Sequence, residues 1–146
     1  MHLTKIVTAA AVVLLSGIIF AGNSFGKEII PMNEPAYAAH TKGIVQFAHK
    51  KHVAEYKLDC GECHHDAKGA PLKLKKGDAV QRCIECHPKA VAVPKGKDAP
   101  KLSHKEELAY HTVAIHNNCK GCHKEYNKKN KTKAAPTTCS KCHPKK

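Results

Sequence analysis

The chain has no tryptophan, three phenylalanines, four tyrosines and two methionines in 146 residues. Acidic residues number 12 against 25 lysines and arginines. Beyond the first two dozen positions there is no long apolar run. So few large apolar side chains cannot bury an ordinary hydrophobic core. This excludes a metabolic enzyme built around a large substrate cleft. It predicts a small fold held by disulfides, metals or covalent cofactors. The length allows one domain.

The one apolar block lies at the start. Lys5 precedes an uncharged stretch from Ile6 to Ala21, followed by small and polar residues. This is the pattern of a secretory signal peptide. The stretch is shorter than the ~20 residues of a membrane-spanning helix. Residues 1–38 are read as the signal, cut after Ala36-Tyr37-Ala38, with an earlier cut near Gly26 as the alternative. Residues 39–146 form the mature domain, and nothing in it is expected to cross a membrane.

What the chain has is cysteine and histidine. All eight cysteines fall in four motifs: Cys60-Gly61-Glu62-Cys63-His64, Cys83-Ile84-Glu85-Cys86-His87, Cys119-Lys120-Gly121-Cys122-His123 and Cys139-Ser140-Lys141-Cys142-His143. Each reads C-x-x-C-H, the attachment signal for c-type haem. Two thiols three residues apart on a helical turn project to one side. There they can form thioethers with the two vinyl groups of a haem, and the following His is placed to ligate the iron. Zinc sites, disulfides and thioredoxin-like pairs also use C-x-x-C. None of them requires the following His. With 12 His in the chain, four such coincidences have a chance of roughly 5 in 100,000, which favours the haem motif. Export agrees, because c-type haem is attached after translocation.

Electron-transfer haem needs a second axial ligand, usually Met or His. Met1 and Met32 cannot serve four irons. Outside the motifs and His2, seven His remain: His40, His49, His52, His65, His104, His111 and His116. Bis-His ligation at all four haems is therefore available from the chain itself. It leaves no open iron and implies a low potential. His49 and His52 lie three apart and can serve two haems. His65 cannot share the iron of its neighbour His64 but can reach another. His40 reads as a surface residue. Ser103-His104-Lys105-Glu106 has the capping-box form and predicts a helix running to Ile115 or His116. One of its three histidines is expected on the remaining iron.

The rest of the chain predicts mostly irregular structure with a few short α-helices and a small β-hairpin, placed at Lys68–Gly77. Thr41–Phe47 reads as extended. Asp78-Ala79-Val80-Gln81 reads as the cap of a short helix carrying the second motif. Pro88–Pro100 and the basic stretch Lys124–Pro136 read as loops. The motifs start 23, 36 and 20 residues apart, so this is no solenoid. Such short intervals predict a compact fold wrapped around four closely packed haems.

With its motifs quoted, the chain resembles the class III multihaem cytochromes c, the tetrahaem cytochrome c3 family of sulfate-reducing bacteria. The resemblance spans Val45 to His143. It rests on Phe47-Ala48-His49-Lys50-Lys51-His52, on the doubled His64-His65, and on Pro136-Thr137-Thr138 before the last motif. One departure is visible: many members place four residues between the cysteines of the second and fourth motifs, and this chain places two. The resemblance implies His49 on haem 1, His65 on haem 2, His52 on haem 3 and His116 on haem 4, with His111 as the reserve. Cys83, Cys86, His87 and His65 are all present, which favours four haems over a three-haem subgroup. The implied function is periplasmic electron transport in anaerobic sulfate respiration, by a carrier rather than an enzyme. The implied partners are acidic redox proteins, such as periplasmic hydrogenase, and membrane-bound multihaem complexes. A propionate-linked uptake of protons on reduction is also implied.

The formal charge is +13. Export disfavours nucleic acid as its target. Lys124, Lys128, Lys129, Lys131 and Lys133, with Lys141, Lys145 and Lys146, bracket the fourth motif. They read either as a solvated loop or as a docking face for an acidic partner. The competing function is a multihaem reductase or terminal metal-reducing cytochrome, which needs one iron left open.

Overall fold

The computed structural model describes residues 28–145. The apolar stretch Ile6–Ala21, assigned to the export signal, lies outside them. Two short strands open the described chain: β1, Ile30–Pro31, and β2, Gln46–Phe47. They pair antiparallel, Ile30 with Phe47 and Pro31 with Gln46. The amide of Met32 extends the pairing by donating to the Val45 carbonyl at 2.9 Å. Thr41–Phe47 is thus extended only at its end. The segment beyond β1 is tied down too. Glu34 forms an ion pair with Arg82, and the Tyr37 hydroxyl lies 2.9 Å from His111 Nδ1.

The expected hairpin at Lys68–Gly77 does not form. A single antiparallel bridge joins His65 to Pro71. Between them the Asp66 carboxylate accepts from the amides of Lys68 and Ala70 at 2.8 and 2.9 Å. Gly69, at φ +83°, completes the turn. The aspartate satisfies the backbone donors that a hairpin ladder would have used.

Helical structure is short and concentrated at the motifs. Residues 49–55 make a helical turn that widens over Lys51–Glu55. Lys57, at φ +57°, ends it. The first motif is a 3₁₀ turn, Cys60–Glu62. The second is helix α1, Cys83–Cys86. Its first amide is met by Glu85, whose carboxylate accepts from Arg82 N at 3.2 Å. Asp78 is not the cap: it accepts from Lys75 N at 2.7 Å and closes a local turn instead.

The predicted helix after Ser103 begins where expected. Ser103 N donates to Glu106 Oε2 at 2.7 Å, and Glu106 N returns a bond to Ser103 Oγ at 3.4 Å, the reciprocal pattern of a capping box. The helix then breaks. α2 covers His104–Leu108 and α3 covers His111–His116. The break has a cause. Tyr110 takes an extended backbone, φ −81° and ψ 117°, and forms a parallel bridge with Lys89. Lys89 N donates to Ala109 O, and His111 N donates to Lys89 O. Tyr110 and His111 are the two buried residues among those described, at 6% and 8% exposure. Packing of this pair and pairing with the loop after the second motif override the helical propensity of the stretch.

From α3 the chain continues through a widened turn, Asn117–Gly121, into α4, Cys122–Lys129. Half of the basic stretch expected as a loop is therefore helix. Its lysines are helix formers, and Lys128 and Lys129 sit at the C-terminal end, where the helix dipole favours positive charge. The loop proper starts at Asn130. Asn127 holds it on both sides, donating to Ala135 O at 2.8 Å and accepting from Ala135 N at 3.1 Å. The fourth motif is α5, Cys139–Cys142. Among the described residues no helix is long and apolar enough to cross a membrane.

Candidate haem sites

Each C-x-x-C-H motif lies on helical structure: the first, second and fourth form single turns that end at the histidine, and the third runs from the widened turn into the start of α4. No disulfide joins any of the eight cysteines, so all are available for attachment. Among the described residues no three His, Cys, Asp or Glu side chains gather as a metal-holding group, the arrangement a four-thiolate zinc site would require. Burial pushes the Cys63 and Cys83 thiols up, and pushes Cys119 up to about 11. Thiols from other motifs, Cys63, Cys83 and Cys142, act on Cys119 in the same direction. A protonated thiol is a poor nucleophile and oxidises reluctantly.

Three motif histidines come together in ring pairs with histidines from outside the motifs. The rings of His65 and His87 have centres 5.9 Å apart. Those of His52 and His123 are 6.2 Å apart and those of His116 and His143 are 6.3 Å apart. His49 acts electrostatically on His64. An iron between two imidazole nitrogens, about 2 Å from each as on other first-row metals, sets ring centres roughly 6 Å apart. The paired rings have that separation. Burial lowers the pKa of His64, with His49 and His65 adding to it. Burial likewise lowers that of His116, with His143 and Lys120 adding. Both are therefore kept neutral, the form that binds metal.

The second ring nitrogen is what aims an imidazole at a metal. In five of these histidines it is fixed to backbone. Nδ1–H donates to Ala48 O from His52 at 2.9 Å, to Asp66 O from His65 at 2.8 Å, and to Leu108 O from His87 at 2.6 Å. His123 donates to Pro136 O at 2.8 Å and His143 to Gly43 O at 2.9 Å. Each bond sets the tautomer that leaves Nε2 unprotonated. The donor set, its spacing and its tautomers fit a haem iron.

Local packing serves these bonds. Phe47 lies against both outside histidines of its segment, with ring centres 5.8 Å from His49 and 4.9 Å from His52. Tyr56 meets His52 edge-on from another side. The second motif opens onto a cleft lined by Cys83, Cys86, His65, His87, Arg82 and Asn118. Asn118 reaches from the turn before the third motif to donate to Cys63 O at 3.2 Å. Two glycines admit close backbone approach. A Cβ on Gly61, inside the first motif, would meet Pro71 Cβ at 2.9 Å. One on Gly43 would meet Pro144 O at 2.2 Å.

Of the residues singled out from the sequence, His52, His65, His87, His116, His123 and His143 are brought into ring pairs, while His49 acts on His64 electrostatically. His104 is exposed on α2. His40, expected on the surface, is half-buried beside Tyr37. His111 has no place in a pair: it is buried, with Nδ1 bonded to Tyr37. The residues that sequence reasoning missed are the carbonyl acceptors at Gly43, Ala48 and Leu108, and the pairs Tyr37–His111 and Glu34–Arg82. A backbone carbonyl carries no signal in residue type. Glu34 and Tyr37 stand in the stretch between the two candidate signal cuts.

Four thioether motifs on short helical turns, with paired imidazoles, define a multihaem c-type cytochrome. The chain matches the Class III cytochrome C family over residues 27–143. It is 35% identical over 115 residues to cytochrome c3 of Maridesulfovibrio salexigens, covering 79% of this chain and 92% of that one. It is also 35% identical over 113 residues to cytochrome c3 of Desulfovibrio desulfuricans, covering 76% and 88%. The chain belongs to the class III cytochrome c family. With four attachment motifs it carries four c-type haems and acts in electron transfer as a carrier rather than an enzyme.

Gly43 gives a test of the closure around the fourth motif. Gly43→Ala is expected to force the Pro144 backbone away and stretch the His143–Gly43 bond. It should lower the unfolding free energy of the haem-loaded protein by about 1–3 kcal/mol, the usual cost of overpacking, as read by denaturant titration.

Proposed function

We propose that the protein is a periplasmic, low-potential electron carrier whose four irons are each held by two histidines. The pairs are His49 with His64, His65 with His87, His52 with His123, and His116 with His143. The observation that carries this reading is the pairing itself: three motif histidines each face a ring from outside the motifs at about 6 Å, and His49 acts electrostatically on the fourth, His64. His116 is favoured over His111 because its ring faces His143 at 6.3 Å, whereas His111 is buried against Tyr37. The haem supplies a one-electron iron couple. The chain supplies two imidazoles in place of an imidazole and a thioether, which holds the potential low. Five carbonyl bonds to Nδ1 push the same way by raising the basicity of the ligand. Since no pair leaves an iron open, a reductase acting at the iron is disfavoured.

Export completes the reading, with the signal ending before residue 28 rather than after Ala38. Strand β1, the Glu34–Arg82 pair and the Tyr37–His111 bond support the earlier cut, since the later one removes all three. The partners are acidic redox proteins, hydrogenase on the donor side and a membrane-bound multihaem complex on the acceptor side, as in sulfate respiration. Lys124, Lys128 and Lys129 on α4, with Lys131, Lys133, Lys141 and Lys145, are all exposed and flank the third and fourth motifs. A positive face around a haem steers an acidic partner and is weakened by salt.

Three outcomes are expected. The mass of the purified exported protein equals a polypeptide that retains Glu28–Ala38 plus four haems; intact mass spectrometry decides this. Carbon monoxide difference spectra of the reduced protein show no binding in the wild type and in His111→Ala, and binding at one haem per chain in His116→Ala. Electron transfer with an acidic partner slows as salt is raised, and the Lys128→Glu, Lys129→Glu, Lys131→Glu triple variant slows it by about tenfold at low salt, as measured by stopped-flow kinetics.

A further inference from the structure

Half-buried Tyr37 and buried His111 form a pair outside the proposed ligand pairs. Their setting gives them a task. His111 begins α3 immediately after the break at Ala109–Tyr110. Its own amide donates to Lys89 O at 3.1 Å, and Lys89 N donates to Ala109 O at 2.9 Å. Three residues before His111, Leu108 O accepts the Nδ1–H of His87 at 2.6 Å. One short piece of backbone therefore receives the second-motif histidine on one side and is clasped by the loop after that motif on the other.

The clasp is closed from the N-terminal segment. The Tyr37 hydroxyl lies 2.9 Å from His111 Nδ1, and the two rings are 5.6 Å apart. Burial keeps His111 below its ordinary pKa, although Glu34 pulls it upward. A neutral His111 can accept the phenol proton at Nδ1. Glu34, three residues before Tyr37, is paired with Arg82, the residue that precedes Cys83. The same segment thus grips both ends of the haem 2 site: Arg82 before its first cysteine, and His111 behind the carbonyl that holds its histidine.

We infer that Tyr37 and His111 are positioning residues for haem 2: they lock the 108–111 turn so that Leu108 O holds His87 by a short Nδ1–H bond. That bond gives the imidazole anionic character, strengthens it as an iron donor and lowers the potential of haem 2. The inference rests on the reading of His87 as a ligand of haem 2. Loss of the phenol hydroxyl lets the turn relax, weakens the bond to His87 and moves haem 2 upward.

The test uses the four-haem protein and a redox titration followed by nuclear magnetic resonance, which resolves the haems individually. Tyr37→Phe keeps the ring and removes only the hydroxyl. Haem 2 should shift to higher potential with the other three in place. His111→Leu should move it the same way. His111→Asn, whose amide occupies the place of Nδ1 and can meet the phenol, should restore it. A second readout is hydrogen exchange of the His87 Nδ1–H in the reduced protein, which should quicken several-fold in Tyr37→Phe. An unmoved haem 2 in Tyr37→Phe, or an equal shift of all four haems, overturns the inference. A His87→Ala variant with an unaltered haem 2 spectrum overturns the ligation reading itself, which separates the two failures.

Discussion

The architecture depends on a bond between an imidazole and a backbone carbonyl, repeated around the molecule. His52, His65, His87, His123 and His143 each give Nδ1–H to a carbonyl of the main chain. A histidine on a short, exposed turn would otherwise sample several rotamers. Fixing one ring nitrogen fixes the direction of the other, and the direction of Nε2 is what a pair of axial ligands must share. The irregular backbone follows from this demand. Ala48, Leu108, Pro136 and Gly43 stand just before a helical turn, at a helix break, in a loop and in the lead to a strand. A regular helix or sheet uses its carbonyls internally. Loops and broken helices leave carbonyls available to side chains.

The N-terminal segment is the part of the chain that touches most of the sites. Gly43 takes His143 of the fourth motif, and Ala48 takes His52, the partner of His123. Phe47 packs on His49 and His52 together. Tyr37 and Glu34 reach the surroundings of the second motif through His111 and Arg82. Strand β1 holds this segment in register with β2. About twenty residues that carry no motif thus connect sites lying far apart in sequence. Long-range links of this kind must take over the work of an apolar centre, since Tyr110 is the only buried large apolar side chain among the described residues.

Much of the chemistry was legible in the sequence because it is written in residue types at fixed spacing. Cysteine pairs with a following histidine specify attachment and one axial ligand without reference to the fold. The proposed partner histidines His49, His52, His65 and His116 were singled out only with a family pattern beside the count. The capping box at Ser103 was readable because both of its bonds are local. The break at Tyr110 was not, because it is set by Lys89 across a separate loop. The hairpin at 68–77 failed for a local reason: Asp66 offers its carboxylate to the very amides a ladder needs. The basic stretch after Cys122 was misread since lysine marks both solvated loops and helix ends, and only the position of Asn127 distinguishes them here.

His111 shows how a surplus of one residue type is distributed. Seven histidines outside the motifs were available for four irons, and by composition all were equivalent. Three of them are distinguished by what Nδ1 meets. His52 and His65 offer Nδ1–H to a carbonyl, which can only accept, so Nε2 is left with a lone pair for metal. His111 meets a phenol, which can donate, and is buried beside a carboxylate–guanidinium pair. Its chemistry is then that of a strut. Replacing a ligand would open an iron, whereas replacing the strut alters only how firmly a ligand two steps away is held. The same imidazole can therefore serve either to bind the iron or to position the ligand that does, and at His52, His65 and His111 the group facing Nδ1 marks the difference.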